Sequence, residues 1–169
     1  MLSRYVVINA LRVPGYIKII RLLWKGFLMS KVAVVFWSAS GNTAAMATAI
    51  GDAAASNGAE VEYLAPADFS SAKVGDYDAI AFGCPAMGAE VLEEVEFEPM
   101  FTEVEGSLKG KKIGLFGSYG WGDGQWMRDW QERAIASGAN LVMDGVMANY
   151  TPDETALGEC ASLGAALAQ

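Results

Sequence analysis

The arrangement of apolar runs is the feature that most constrains the fold of this chain. Residues 32–36 are continuously apolar, as expected of a strand that is buried on both faces. Further segments rich in apolar residues, also expected to be strands, occur at 61–64, 79–82, 113–116 and 141–147, although the first and last of them each include one acidic residue. Because helical segments alternate with these runs, the sequence predicts an α/β fold with a doubly wound, five-stranded parallel sheet. Sheets of this class bind ligands at the carboxyl ends of their strands, so the loops at those ends are the candidate sites.

The helical segments are recognised by their ends and their composition. Residues 42–57 are rich in alanine and contain no proline, and helices are also expected over 98–108 and 125–137. The sequence Thr151-Pro152-Asp153-Glu154 has the pattern of a capping box and is expected to open a last helix. The chain has no internal repeat and no long linker, and its 169 residues are typical of one domain.

Charge and residue types exclude several functions. The chain has 12 Lys and Arg against 20 Asp and Glu, a net charge of −8, which disfavours nucleic-acid binding. It contains no histidine, so catalytic triads and metal sites that need histidine are excluded. Its two cysteines, Cys84 and Cys160, form no CxxC metal motif and fit a reducing compartment. We therefore expect a cytoplasmic protein without a metal site.

Residues 1–29 differ in charge from the rest of the chain. They hold five basic residues and no acidic one, which leaves 7 basic and 20 acidic residues, net −13, for 30–169. The frequent charges argue against a transmembrane helix. A helix over 16–28 would place Lys18, Arg21 and Lys25 on one face, where they could bind an anionic lipid surface. Alternatively, 1–29 is a basic extension not native to the domain, which then spans 30–169.

The first strand is followed by a loop of small and hydroxyl-bearing residues that leads into a helix. A helix N-terminus offers free N–H groups and the positive end of the helix dipole, which favour an anion. The loop lacks the lysine of a Walker A motif, so a phosphate monoester fits better than a nucleoside triphosphate. An ordinary helix cap is the alternative interpretation. The candidate phosphate-binding residues are Ser38, Ala39, Ser40, Gly41, Asn42 and Thr43.

Two further loops suit a flat ligand. The loop after the third strand, 84–90, contains Met87 beside a glycine and a carboxylate, although an ordinary strand-to-helix turn is the better explanation when this loop is taken alone. The loop after the fourth strand, 118–124, places two aromatic residues among three glycines, so that the backbone can approach a ring and Trp121 can stack on it. Together the three loops predict a flat phosphorylated cofactor, and FMN fits best.

These loops resemble those of the flavodoxin family, in particular the short-chain bacterial type. The matching stretches are 37–43, 83–88 and 114–122, which occur in the same order and at similar spacing. The resemblance covers residue 30 to the C-terminus and implies the strand order 2-1-3-4-5 known for flavodoxin. This chain departs from the usual pattern at Ser40, where threonine is common, and at Ala89, where a polar residue is common. Because of the departure at Ala89, the resemblance does not predict how strongly the turn stabilises the flavin semiquinone.

The resemblance also implies roles for individual residues. Met87 would pack on the inner side of the flavin ring and Trp121 on its outer side. Glu90 would accept a hydrogen bond from the flavin N3–H, and the Gly88 carbonyl from N5–H of the semiquinone. The phosphate would lie in the loop after the first strand. The remaining implied cofactor contacts are Pro85, Ala86, Ala89, Ser118, Tyr119, Gly120, Gly122 and Asn149.

The implied function is low-potential one-electron transfer, in which FMN shuttles between semiquinone and hydroquinone and no substrate is turned over. Acidic residues near the loops would raise the energy of a flavin anion. They would also steer the protein, expected to be monomeric, to basic patches on reductases and acceptors. The acidic candidates are Glu90, Glu93, Glu94, Glu96, Glu98 and Asp123.

Two other interpretations remain at this point. The chain could be an FMN-dependent quinone or nitro reductase of the same fold, which needs room for a hydride donor at the flavin face. It could also be a phosphate-binding signalling domain similar to a response regulator, in which Trp121 would have no role.

Overall fold

A computed structural model describes residues 29–169, and the basic extension predicted for 1–29 lies outside these residues except for Met29. The described chain contains six strands and four α-helices. The strands are β1 (Lys31–Phe36), β2 (Glu60–Leu64), β3 (Ala79–Gly83), β4 (Lys112–Tyr119), β5 (Asn140–Leu141) and β6 (Val146–Asn149). The helices are α1 (Asn42–Ser56), α2 (Phe97–Val104), α3 (Gln125–Ala136) and α4 (Glu154–Ala168), with 3₁₀ turns at Pro66–Asp68, Ser71–Asp76 and Glu105–Ser107.

All strand pairs of the sheet are parallel, in the order β2-β1-β3-β4-β5, and β6 also pairs with β4. This confirms the predicted doubly wound α/β fold. The carboxyl ends of β1, β3, β4 and β6 therefore lie along one edge of the sheet, and the loops that follow them meet there.

The last strand differs from the prediction because it is split. A single strand was expected over 141–147, but β5 and β6 pair with β4 separately, and Gly145 lies between them. The Gly145 N–H donates to Oε1 of Gln131 on α3 at 2.6 Å, so it leaves the ladder. β4 is also longer than predicted, because pairing with β6 extends it through Ser118 and Tyr119.

The two faces of the sheet bury separate apolar cores. Alternate residues of β1 point to opposite sides: Val32 and Val34 lie in the core under α1 and α4, whereas Ala33 and Val35 lie in the core under α2 and α3. Continuous apolar strands are thus explained by helices on both faces.

α4 begins two residues later than its predicted start. The Asp153 carboxylate accepts from the Ala156 N–H at 2.9 Å and caps the helix, so the predicted capping box at Thr151 is wrong. Asp153 has the extended backbone of an N-cap residue, which moves Pro152 outside the helix. Among residues 29–169, none of the helices has the length and hydropathy needed to span a bilayer.

Candidate functional site

The loop after β1 forms a tight turn into the N-terminus of α1. The Ser38 hydroxyl accepts from the backbone N–H groups of Gly41 and Ala44 at 3.2 and 3.3 Å. Gly41 has a φ of 90° and precedes the helix, a conformation that disfavours larger residues. The backbone N–H groups of Ser40, Asn42 and Thr43 have no hydrogen-bond partner within residues 29–169. The loop therefore presents several free donors at a helix N-terminus, as an anion requires.

The loop after β3 is a narrow turn that lies along β4. The N–H of Cys84 donates to the Phe116 carbonyl at 3.0 Å, and that of Ala86 to the Ser118 carbonyl at 2.9 Å. Met87 and Val91 then exchange two backbone hydrogen bonds, which close the turn. This close approach requires glycine at position 117, since a β-carbon there would overlap the Cys84 carbonyl oxygen.

Trp121 connects the turn after β3 with the loop after β4. Its indole N–H donates to the Gly88 carbonyl at 3.1 Å, although the side chain is 57% exposed. The predicted role of Trp121, as a stacking surface, needs this exposure. Trp126 is different, because it is buried and donates to the Cys84 carbonyl at 3.3 Å. Trp126 and Trp130 are both core residues, as their helical spacing indicates.

Glu90 lies between the same two loops. Its Oε1 accepts from the backbone N–H groups of Gly124 and Gln125, both at 2.9 Å, at the N-terminus of α3. The carboxyl group occupies the space that a β-carbon of Gly122 would need. One carboxylate oxygen is thus committed to α3, while Oε2 has no hydrogen-bond partner among the described residues.

The predicted contact residues form one continuous group at the carboxyl edge. The Thr43 and Ser118 hydroxyls are 3.3 Å apart and join the β1 loop to β4, and Asn149 Nδ2 donates to the Tyr119 carbonyl at 3.5 Å. The buried members are Thr43, Ala86 and Ser118; the half-buried ones are Ser38, Asn42, Pro85, Met87, Glu90, Tyr119 and Gly120; the exposed ones are Ala39, Ser40, Gly41, Gly88, Ala89, Trp121, Gly122 and Asn149.

Sequence reasoning did not single out Tyr150, which lies at the same edge. Its N–H donates to the Tyr119 carbonyl at 2.7 Å, and its ring packs against Gly120. Its backbone has a φ of 57°, the left-handed conformation that side chains other than glycine rarely adopt. No local sequence pattern indicates this conformation, because it depends on the contact with β4.

The acidic residues near the loops fall into two groups. Glu98 and Asp123 form ion pairs with Arg133 and Arg128 at 2.7 and 2.6 Å. Glu94 and Glu96 are exposed and have no ion-pair partner among residues 29–169. The uncompensated negative charge therefore comes from fewer side chains than the sequence suggested.

Glu93 is buried and belongs to the structural framework below the turn. Its carboxylate accepts from the N–H groups of Val95, Glu96 and Phe97 at 2.8–2.9 Å, just before and at the start of α2. Burial raises the pKa of this carboxyl, but the three donors outweigh it and hold the pKa below its ordinary value. Burial also raises the pKa of the adjacent Cys84 thiol to about 12, so the thiol remains protonated.

Comparison with known proteins identifies the family. The model of the flavodoxin family matches residues 34–164. The chain is 46% identical to a flavodoxin from Megasphaera elsdenii over 138 residues, which are 82% of this chain and 98% of that protein. It is 42% identical to a flavodoxin from Clostridium beijerinckii, over 80% of this chain and 97% of that protein. The chain belongs to the flavodoxin family.

Solved structures agree with this assignment. The solution structure of the two-electron reduced flavodoxin from Megasphaera elsdenii superposes with a TM-score of 0.75, covering 81% of this chain and 98% of that one. An archaeal flavodoxin, 32% identical, covers 82% of this chain and 96% of its own, with a TM-score of 0.72. Flavodoxins are electron carriers and not enzymes, and they work with redox partners. This flavodoxin accordingly has an electron-transfer function, and membership in the family implies FMN as its cofactor.

The residues at the carboxyl edge fit this cofactor. A phosphate monoester is an acceptor of hydrogen bonds, and the β1 loop offers unpaired N–H groups and hydroxyls. A flavin is flat and apolar on its faces, and the neighbouring loops offer Met87 and the exposed indole of Trp121.

Proposed function

We propose that this flavodoxin holds FMN across the carboxyl edge of its sheet and transfers single electrons at low potential. The observation that carries the proposal is the convergence of three loops at one edge. The β1 loop has free donors, and the β3 and β4 loops are joined by the hydrogen bond from Trp121 to Gly88. When bound, FMN supplies two one-electron redox steps, and the side chains of this chain control its position and surroundings.

In this proposal the three loops divide the work of binding. The N–H groups and hydroxyls of 38–43 bind the phosphate, and Met87 and Trp121 enclose the flat ring from two sides. Oε2 of Glu90 is free to accept from the ring edge while Oε1 stays on α3. The Gly88 carbonyl accepts from the Trp121 indole and retains a second lone pair for the cofactor. The remaining contacts with the cofactor come from Tyr119, Gly120, Gly122 and Asn149.

The low potential follows from the surroundings of the ring. Enclosure by Met87 and Trp121 excludes water, which disfavours an additional negative charge on the cofactor. The unpaired carboxylates of Glu94 and Glu96 add an unfavourable interaction with such a charge. Both effects oppose the second one-electron reduction, so the two steps are expected at separate potentials.

The negative charge of the protein also indicates which surfaces its redox partners present. Residues 30–169 carry a net charge of −13, which favours association with basic patches on reductases and acceptors. We further propose that the protein is monomeric and that it is cytoplasmic, a location that suits its two free and buried cysteines. The functional domain in this proposal is 30–169, preceded by the basic extension 1–29.

The test measures cofactor binding and redox behaviour separately. Apoprotein is titrated with FMN and with riboflavin, which lacks the phosphate, and the loaded protein is then titrated potentiometrically without oxygen. We expect tight binding of FMN, much weaker binding of riboflavin, and two separated one-electron steps. A single two-electron step with turnover of a pyridine nucleotide and a quinone would instead support the reductase interpretation.

A matched pair of substitutions on α1 tests the phosphate loop. Thr43 is buried next to Ser118 at the start of the helix, whereas the Thr48 hydroxyl bonds to the Ala44 carbonyl one turn further on. Thr43→Val is expected to weaken FMN binding about tenfold, the effect of one lost hydrogen bond to a charged group, with little change for riboflavin. Thr48→Val should leave both affinities unchanged. Equal losses for FMN and riboflavin would contradict a phosphate site in this loop.

A further inference from the structure

Two residues other than glycine have a positive φ among residues 29–169, and both lie at the carboxyl edge. They are Glu90, with a φ of 55°, and Tyr150, with a φ of 57°. A bulky residue in this conformation costs free energy and persists only where the surrounding structure holds it. Such residues cluster at functional sites, so each needs an explanation.

Both residues pack against glycines of the loop after β4. The Glu90 carboxyl group fills the space beside Gly122, and the Tyr150 ring fills the space beside Gly120. A β-carbon at Gly120 would lie 3.0 Å from Cε1 of Tyr150, closer than most side chains pack, so a larger residue at position 120 would displace the ring by a few tenths of an ångström. The segment 120–122, with Trp121 at its centre, is therefore held from both sides by strained residues.

The strain at Glu90 is offset within the protein, but the strain at Tyr150 is not. Glu90 gains two hydrogen bonds from the N-terminus of α3. Tyr150 gains one backbone hydrogen bond to Tyr119, which glycine or asparagine could make at less cost. Its side chain is 62% exposed, so burial of the ring does not account for a tyrosine at this position.

We propose that Tyr150 is a positioning residue of the cofactor site. Its ring supports Gly120 and thereby fixes the turn that presents Trp121 to the flavin. This inference rests on the proposed function, because it assigns the benefit of the strained conformation to the bound cofactor. Tyr150 then contributes more to FMN binding than to the stability of the apoprotein.

Four variants separate these contributions: Tyr150→Phe, Tyr150→Ala, Tyr150→Gly and, as a control for losing an exposed tyrosine, Tyr63→Ala. Tyr63 is 47% exposed and packs on Gly51 of α1. We expect Tyr150→Ala to raise the FMN dissociation constant about tenfold, the loss of one aromatic contact, and Tyr150→Phe to retain the affinity. Tyr63→Ala should also bind FMN like the unmodified protein.

Tyr150→Gly is the decisive variant. Glycine relieves the backbone strain, so the apoprotein should unfold at the same or a higher denaturant concentration while FMN binding weakens as in Tyr150→Ala. If Tyr150 had only a structural role, Tyr150→Gly would lower the stability of the apoprotein and the affinity for FMN together, and that result would overturn the inference. Unchanged FMN affinity combined with slower electron transfer to a basic acceptor would also overturn it, because Tyr150 would then belong to the partner surface. If the unmodified apoprotein binds no FMN, the proposed function fails as well.

Discussion

Single side chains at the carboxyl edge contribute to the framework as well as to the site, and Glu93 is the clearest case. It is 6% exposed and satisfies three backbone N–H groups before and at α2. Replacing the carboxylate by an amide removes the charge and part of the acceptor capacity. We expect Glu93→Gln to lower the free energy of unfolding at pH 7 by about 1–3 kcal/mol, the range for disrupted hydrogen bonds to a buried charged group, as measured by denaturant unfolding.

The contribution of Glu93 should depend on pH in one direction. Because its pKa is lowered in the folded state, the stabilisation is fully present above the unfolded pKa, about 4.3, and is lost as pH falls through the folded value. The difference between unmodified protein and Glu93→Gln should therefore shrink below about pH 4. Glu94→Gln, an exposed neighbour, is the control. A difference that stays constant from pH 7 to pH 3 would contradict this account of the carboxylate.

At the scale of elements, α4 contains two glycines in opposite surroundings. Gly158 is exposed, and a β-carbon there would meet nothing within 4 Å. Gly164 is buried where α4 approaches α1, and a β-carbon there would overlap the Ile50 carbonyl oxygen. We expect Gly158→Ala to stabilise the protein by about 0.5–1 kcal/mol and Gly164→Ala to destabilise it by about 1–3 kcal/mol. Thermal unfolding of both variants at the same FMN concentration tests the close packing of the two helices, and equal shifts would argue against it.

At the scale of the whole molecule, the uneven charge matters for encounters with partners. Glu94 and Glu96 carry unpaired charge beside the loops, whereas Glu60 and Asp76 lie at the amino ends of β2 and β3. Replacing Glu94 and Glu96 by glutamine should slow electron transfer to a cytochrome of high isoelectric point several-fold at low salt. Above about 0.5 M salt the rates should converge, because the Debye length is then only a few ångströms.

The control for this effect removes the same charge elsewhere. Glu60→Gln combined with Asp76→Asn also removes two negative charges, but at the opposite edge of the sheet. Stopped-flow rates that fall as much for this pair as for Glu94 and Glu96 would show that net charge, and not a local acidic surface, governs the encounter.

Much of this architecture is predictable from the sequence, because its signals are local. The order of the elements follows from three such signals: apolar runs typical of buried strands, alanine-rich helical segments and glycines at helix ends. Parallel strands place their carboxyl ends at one edge, so the order of the strands is enough to group the three loops at a single site. The resemblance to flavodoxins rests on residues inside those loops, and the comparisons confirm the family.

The tertiary structure decided what depends on residues far apart in the chain. Glu90 reaches an α3 N-terminus 34 residues away, Tyr150 takes a left-handed backbone to pack on Gly120, and Gly145 bonds to Gln131 and splits the last strand. Periodicity and composition report which face of an element is buried, but they carry no information about which distant group satisfies a carboxylate or an N–H. That pairing is fixed only when the packed elements bring the groups within hydrogen-bond distance.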